Sequence, residues 1–218
     1  MKEKHILVVL PHPDDEAFGL AGTLAMHIDH GTPVTYACLT LGEMGRNMGV
    51  PPFANRVTLP QIRKQELERS CEAIGITDLR MLGFHDKTIE FEEPAVLDKY
   101  MDALLEELEP SLVVTFYPGY AVHADHNATG AAVMRAIKKL PEANRPRIYA
   151  LAFANNSEQE IGKPDVVVDV RPYIEQKVAS LMAHRSQFQM PELVGDKPKI
   201  TNKIIERFGY ERFWTYSV

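Results

Sequence analysis

The chain has 218 residues, of which 45% are hydrophobic and 25% are charged, and this size predicts one globular domain over 1–218. The formal net charge is −6 and Lys and Arg do not cluster, so nucleic acid is not an expected partner. The apolar run before Pro11 is too short for a membrane span or a signal peptide, and the expected location is therefore the cytoplasm.

Strand-like and helix-like segments alternate along the chain. Short apolar or β-branched runs predict strands at Ile6–Leu10, 34–41, 80–83, 111–117, 147–152 and 166–170. Segments with apolar residues at helical spacing predict helices at 16–30, 61–74, Pro94–Leu108, 127–140 and 173–187. The aromatic segment 208–216 is expected to form either a last strand or a packing strap. This alternation predicts an α/β fold with a mostly parallel sheet and helices on both faces.

The connection at 42–60 is unusually long and contains three Gly and three Pro among polar residues. A segment of this composition cannot form one regular element. Connections of such length in compact domains are commonly functional lids or mobile flaps. We therefore expect this flap to lie near a functional site.

The most informative segment is PHPDDE at 11–16, which directly follows the first predicted strand. It places His12, Asp14 and Asp15 at the carboxyl end of a strand, where open α/β sheets hold their ligands. Adjacent carboxylates repel one another unless a cation or a catalytic task makes use of them. His12 and Asp15 are three residues apart at a helix entry, so one imidazole nitrogen and one carboxylate oxygen can meet a single ion.

A second cluster, HADH at 123–126, follows the clearest buried strand and repeats this spacing with His123 and His126. Two histidines and one aspartate with an open fourth position form a catalytic zinc pattern. Bound zinc lowers the pKa of water towards about 7. Asp14 is then placed to accept a proton from that water, and the remaining histidine of the second cluster is placed to stabilise the developing oxyanion.

Each cluster taken alone has a simpler interpretation. The first could cap a helix with acidic residues in its first turn, and His-x-x-His spacing arises by chance on many helices. A magnesium-dependent phosphoester hydrolase would also use acidic residues, but Mg²⁺ prefers oxygen ligands, and two histidines argue against it. The two clusters together, each after a buried strand, predict a divalent-metal hydrolase.

These motifs resemble those of the zinc-dependent N-acetylglucosamine deacetylases of the LmbE/PIG-L-like superfamily, and the resemblance extends over nearly the whole chain. It implies a Rossmann-like three-layer sandwich and hydrolysis of an N-acetyl group on a glucosamine-containing small molecule. Within the family, the chain most resembles the bacillithiol-pathway enzymes, which deacetylate N-acetylglucosaminyl malate. An amidase that acts on thiol conjugates of the same sugar is the alternative. Family members often form trimers or hexamers, so a homo-oligomer is expected.

The resemblance also implies roles by position. The implied zinc ligands, with Fe²⁺ as an alternative metal, are His12, Asp15 and His126. Asp14 would be the general base and then the general acid, and protonated His123 would stabilise the oxyanion. Asp125, beside that histidine, would tune it.

Substrate contacts are implied at further positions. Arg63, in the segment RKQE, is the candidate sugar or anion contact, and Asp86 is the candidate partner for sugar hydroxyls. A malate group carries two carboxylates, which arginine binds in a bidentate manner. Arg46 and Arg56 in the flap are therefore further candidates, although solvated loop charge is an equal alternative. The segment HRSQ at 184–187 resembles one that family members carry near the site.

Overall fold

The structure is a computed structural model that describes residues 2–190, 193 and 200–218. The strands within these residues are β1 Ile6–Leu10, β2 Val34–Cys38, β3 Asp78–Met81, β4 Leu112–Phe116, β5 Arg147–Leu151, β6 Val166–Asp169 and β7 Tyr210–Thr215. The α-helices are α1 Asp15–Gly19, α2 Ala21–Asp29, α3 Leu59–Ile74, α4 Pro94–Leu108, α5 Ala124–Lys139, α6 Ser157–Glu160, α7 Ile174–Ala183 and α8 Asn202–Phe208. None of the described helices is long and apolar enough to cross a lipid bilayer.

The strands form one sheet in the order β3-β2-β1-β4-β5-β7-β6. The first five strands of this order pair in parallel, whereas β7 runs antiparallel to both β5 and β6. The predicted α/β fold with a mostly parallel sheet is therefore confirmed. The segment 208–216, left open between a strand and a strap, contains β7.

Strand β1 is buried on both faces because its side chains alternate between two hydrophobic clusters. Ile6, Val8 and Leu10 pack into the cluster that includes residues of α2 and α3. Leu7 and Val9 pack into the opposite cluster, which includes residues of α4 and α5. These two clusters fill the space between the sheet and its two helical layers.

The order of the strands places a crevice beside β1. Consecutive strands extend from β1 through β2 to β3 in one direction, and β4 lies on the other side of β1. Connections that leave neighbouring strands in opposite directions open a crevice at the carboxyl ends, where α/β sheets bind ligands. The segments PHPDDE and HADH follow β1 and β4, so both motifs lie at this crevice.

The helix predicted at 16–30 is divided into α1 and α2 at Leu20. The side chain of Glu211, in β7, accounts for the start of α2. Its carboxylate accepts the backbone N–H groups of Gly22 and Thr23 at 3.0 and 2.7 Å. The ammonium of Lys177, in α7, donates to the same carboxylate at 2.5 Å. The division thus depends on residues that are distant in the sequence.

Two other helix boundaries change the description of the site. Helix α5 begins at Ala124 rather than at residue 127, so most of the second motif lies in its first turn. Helix α7 ends at Ala183, which leaves 184–187 as a turn beyond the helix. Both differences concern helix ends, where side-chain contacts rather than apolar periodicity decide the boundary.

Candidate metal centre and active site

The candidate metal centre lies where β1 and β4 end. His12 and Asp15 follow β1, while His123 is the N-cap residue of α5 and His126 lies in its first turn. Although 114 residues separate His12 from His126, the pairing of β1 with β4 brings the two together. Phe116, the last residue of β4, stacks on the His126 ring with 3.9 Å between ring centroids.

Three side chains of metal-ligand type meet at one point. The Nδ1 atom of His12 lies 3.1 Å from Nε2 of His126, and the Asp15 carboxylate lies 3.6 Å from the first nitrogen and 3.2 Å from the second. Ligand atoms at about 2.0–2.1 Å from a tetrahedral ion are separated by about 3.3 Å. The structure therefore brings together the three residues predicted as ligands at a spacing that fits such an ion.

Hydrogen bonds on the far side of each ring determine which nitrogen is free. The Nδ1–H of His126 donates to the carbonyl of Ala121 at 3.0 Å, so its Nε2 lone pair faces His12. The Nε2–H of His12 donates to Asp125 and Asp86, each at 3.1 Å, so its Nδ1 lone pair faces His126. Carbonyl and carboxylate partners of this kind orient imidazoles that bind metals.

The charges at this point favour a cation. Burial lowers the pKa of His12, but hydrogen bonds with Asp125 and Asp86 outweigh it and raise that pKa to about 10. Burial raises the pKa of Asp15, but the adjacent His126 and His12 rings hold it below its usual value. The carboxylates around His12 thus stabilise positive charge at the cluster, and a metal ion would replace the proton that they favour on the His12 ring.

His123 lies beside this cluster but presents different chemistry. One nitrogen of each of His12, His123 and His126 lies within 4.8 Å of the others. However, Nδ1 of His123 accepts the backbone N–H of Asp125 at 3.1 Å, which leaves the ring proton on Nε2. Burial and the neighbouring histidines lower the pKa of His123. These contacts favour a ring that donates one hydrogen bond from Nε2, which differs from the protonated ring implied by the resemblance.

Asp14 lies at the edge of the cluster in a strained backbone conformation. Its φ of 104° is in the left-handed region, where a residue other than glycine incurs about 1–3 kcal/mol of strain. Nη2 of Arg63 donates to its Oδ2 at 3.0 Å, and its side chain remains 20% exposed. Burial, partly offset by Arg63, raises the pKa of Asp14 to about 6. A partly exposed carboxylate with a pKa near neutrality is suited to proton transfer.

The side chain of Asp125 faces His12, which differs from its expected role. Its carboxylate is buried and accepts the backbone N–H groups of Lys87 and Ile89 at 2.7 and 3.2 Å. It lies 4.0 Å from Nδ1 of His123 but only 3.1 Å from Nε2 of His12. The carboxylate therefore orients His12, and only the backbone N–H of Asp125 orients His123.

Asp86 also contacts the ring of His12. Its Oδ1 lies 3.1 Å from Nε2 of His12, and its Oδ2 accepts the backbone N–H of Met44 at 2.8 Å. Burial raises the pKa of Asp86, but the His12 hydrogen bond lowers it overall to about 2. Only 4% of this residue is exposed. The structure thus gives both carboxylate oxygens protein partners in place of the expected sugar hydroxyls.

Arg63 is buried rather than open to substrate. Besides Asp14, its guanidinium donates to the carbonyl of Gly42 at 2.9 Å and to the carbonyl of Pro13. Only 3% of the residue is exposed. In this structure Arg63 therefore anchors the turn that carries Asp14, which differs from the expected sugar or anion contact.

The two arginines of the flap differ from each other. Nη1 of Arg56 donates to the carbonyls of Glu43 and Gly45 at 3.2 and 2.6 Å, so this arginine braces the flap itself. Arg46 is exposed, and its side chain has no hydrogen-bond or ion-pair partner among the residues that the structure describes. Of the three arginines predicted as substrate contacts, only Arg46 is free to meet a ligand within these residues.

Three residues of this region had no role assigned from the sequence. Lys87 has a left-handed φ of 66°, a backbone N–H bonded to Asp125, and an exposed side chain. Glu16 and His184 are fully buried and joined by a 2.6 Å hydrogen bond from Nε2 to Oε1. Both residues of this pair lie in segments described above, PHPDDE and HRSQ, but nothing in the sequence indicated that the two segments contact each other.

The fold and the site together define the class of protein: an α/β protein with a mostly parallel sheet and a cluster of potential metal ligands at the ends of its central strands. Residues 7–137 match the PIG-L family, described as GlcNAc-PI de-N-acetylase. The chain belongs to this family. The resemblance drawn from the motifs is confirmed, and so is the expectation of an enzyme of the hydrolase class.

Similarity to named relatives extends over nearly the full length. The chain is 51% identical over 217 residues to a Bacillus cereus protein named probable N-acetyl-alpha-D-glucosaminyl L-malate deacetylase 2, with 98% of each chain covered. A Bacillus subtilis protein of the same name is 49% identical over 218 residues, with 99% of this chain and 98% of the relative covered.

The fold also resembles a solved structure. N,N'-diacetylchitobiose deacetylase from Pyrococcus horikoshii superposes with a TM-score of 0.72 at 23% sequence identity. The alignment covers 98% of this chain and 84% of that protein. At this level of identity the likeness concerns the fold, and the function has to be argued from the site.

Proposed function

We propose that the protein is a divalent-metal-dependent deacetylase that removes the N-acetyl group from N-acetylglucosaminyl malate, a step of bacillithiol biosynthesis. One observation supports the proposal: Nδ1 of His12, Nε2 of His126 and the Asp15 carboxylate lie 3.1–3.6 Å from one another, next to Asp14 in the chain. The two Bacillus relatives, both named as deacetylases of this malate conjugate, support the choice of substrate.

The residues that would hold the metal are His12 through Nδ1, His126 through Nε2 and Asp15 through its carboxylate. Two imidazoles and one carboxylate favour Zn²⁺, with Fe²⁺ as the alternative, and argue against Mg²⁺. A bound divalent cation supplies a Lewis acid that polarises a carbonyl and lowers the pKa of water. Asp125 and Asp86 keep His12 in the tautomer that such a ligand needs.

The chain's own residues carry the protons. Asp14 accepts a proton from the attacking water as the new C–O bond forms, and returns it to the amide nitrogen as the C–N bond breaks. His123 donates its Nε2–H to the oxyanion that develops on the acetamide carbonyl. Arg63 holds the Asp14 carboxylate in place. The products are acetate and the free amine of glucosaminyl malate.

The malate group needs cationic partners, and two are free near the site. Arg46 follows β2 and Lys87 follows β3, and both side chains are exposed without partners in the described part of the chain. The loops that carry them meet at Asp86, whose Oδ2 accepts the N–H of Met44 and whose own N–H donates to Glu43 at 3.1 Å. We therefore assign the malate carboxylates to Arg46 and Lys87.

Acetate release tests this function. We expect turnover of N-acetylglucosaminyl malate to exceed that of free N-acetylglucosamine, to stop on exhaustive chelation, and to return with Zn²⁺ or Fe²⁺ but not with Mg²⁺. The same panel contains an amide thiol conjugate of glucosamine and a sugar phosphate ester. Full activity after chelation, or preferential turnover of either of the last two compounds, would contradict the proposal.

We also propose a cytoplasmic location and a homo-oligomer. Cys38 and Cys71 are both buried free thiols, which fits a reducing compartment, and the proposed substrate is a small metabolite. A trimer or hexamer is the state that the family resemblance implies, and light scattering of the purified protein would measure it directly.

A further inference from the structure

A buried polar cluster behind Asp14 has no part in the chemistry proposed above. Its centre is Glu16, which is fully buried although it carries an ionisable carboxylate. Oε1 of Glu16 accepts from Nε2 of His184 at 2.6 Å and from the hydroxyl of Ser70 at 2.5 Å. Oε2 accepts from the hydroxyl of Tyr36 at 3.2 Å. Buried charge of this kind is costly unless every lone pair is used.

The remaining donor to Glu16 is the backbone of the proposed general base. The N–H of Asp14 donates to Oε2 of Glu16 at 3.1 Å. Asp14 has a φ of 104°, and a left-handed aspartate persists only when its surroundings restrain it. Three parts of Asp14 are restrained: Glu16 accepts its N–H, Arg63 donates to its carboxylate, and its carbonyl accepts the N–H groups of Ala17 and Phe18 at 3.0 and 3.1 Å.

We propose that Glu16 and His184 form a positioning pair for Asp14. His184, at the end of α7, fixes the Glu16 carboxylate, and that carboxylate fixes the peptide group of Asp14. The Asp14 side chain is thereby directed towards the ligand cluster. The side chain of His184 forms its hydrogen bond with Glu16 and not with His12, Asp15 or His126, so it acts through Glu16. This inference rests on the proposed role of Asp14 as the proton carrier.

A second buried ion pair supplies a matched control. Nζ of Lys177 lies 2.5 Å from Oε1 of Glu211, and each side chain is only 2% exposed. Lys177 belongs to α7, the helix that precedes His184, and also donates to the carbonyl of Phe18. This pair organises the start of α2 and does not contact Asp14. Its removal should therefore reduce stability without disturbing the proposed base.

The experiment compares His184→Ala, His184→Gln and Lys177→Met in the full chain. For His184→Ala we expect kcat to fall at least tenfold, with KM changed less than twofold and metal content retained. His184→Gln keeps an N–H donor near the position of Nε2 and should recover most of this loss. Lys177→Met should lower the melting temperature at least as much as His184→Ala while leaving kcat within twofold of the wild type.

A crystal structure of His184→Ala provides a readout that does not depend on activity. We expect the Asp14 peptide to leave its left-handed conformation in this variant. An unchanged Asp14 backbone, or an unchanged kcat, would overturn the proposal. So would an equal loss of kcat in Lys177→Met, because the effect would then reflect stability alone.

A gentler pair of variants covers the case in which His184→Ala does not fold. Ser70→Ala removes a donor to Glu16, whereas Ser180→Ala removes only the partner of Ser70, 2.7 Å away. Ser70→Ala should lower kcat severalfold and Ser180→Ala should not; equal effects would contradict the positioning role. Failure of the proposed function is distinguished by the wild type, which would then release no acetate from any N-acetyl sugar.

Discussion

The Nε2–H of His12 donates to Oδ2 of Asp125 at 3.1 Å across 113 residues of sequence. This hydrogen bond joins the first motif to the second and leaves the Nδ1 lone pair of His12 facing His126. In the proposed metal centre, Asp125 therefore orients His12 without being a ligand. The same residue orients His123 through its backbone N–H, so one buried aspartate organises both histidine environments.

Asp125→Asn should weaken metal binding. The amide oxygen of asparagine can still accept a hydrogen bond from His12, but the substitution removes the negative charge that raises the basicity of the His12 ring. Loss of such a partner typically costs about 10–100-fold in metal affinity. Competition with a chromophoric chelator measures the affinity. Asp102→Asn, an exposed carboxylate on α4, is the control, and equal affinities for the two variants would contradict the role of Asp125.

Replacing each histidine of the second motif should separate their roles. His126→Gln is expected to lose the metal, since Nε2 of His126 is a proposed ligand. His123→Gln is expected to retain the metal but to lower kcat by about 10²–10³, the usual effect of removing an oxyanion donor. Metal analysis and steady-state kinetics on both variants test this. Loss of metal in His123→Gln, with metal retained in His126→Gln, would contradict both assignments.

Lys87→Ala and Arg46→Ala should each reduce the preference for the malate conjugate over substrates without carboxylates. Hydrogen bonds to charged groups contribute about 1.5–3 kcal/mol, so kcat/KM for N-acetylglucosaminyl malate should fall about 10–100-fold in each. The methyl glycoside of N-acetylglucosamine lacks the carboxylates, and its turnover should change less than twofold. Lys163→Ala, exposed on the loop before β6, is the charge-matched control. An equal loss of kcat/KM for both substrates would show that these two cations do not bind the malate carboxylates.

Lys177→Met should destabilise the fold strongly. Removal of one partner from a buried ion pair leaves an uncompensated charge and costs about 3–5 kcal/mol. The free energy of unfolding in urea measures the loss. Lys139→Met removes a partner of Asp102 at the surface and should lower the free energy of unfolding much less, because solvent screens exposed ion pairs. A similar loss of unfolding free energy in the two variants would contradict the expectation that Lys177 neutralises the buried carboxylate of Glu211.

The sequence pattern was most informative where local periodicity and burial agree. Strand β1 and helix α4 have the predicted bounds, because a continuous apolar run and an amphipathic repeat are local properties of the chain. The division at Leu20 was missed because Glu211 and Lys177 cause it from distant elements. Arg63 was assigned to substrate because its segment RKQE resembles one of the family, whereas packing of α3 buries it against Asp14.

The sequence by itself determined the class of fold, the family and the location of two metal-ligand motifs, since each depends on short-range order along the chain. Only the tertiary structure decided which ring nitrogen of His12 and His126 faces the ligand cluster. It also decided that Asp125 accepts a hydrogen bond from His12 and that His184 donates one to Glu16. The physical reason is that a tautomer, a buried charge and a strained φ are set by partners in space. For His12 with Asp125, and for Glu16 with His184, those partners are more than a hundred residues apart in the sequence.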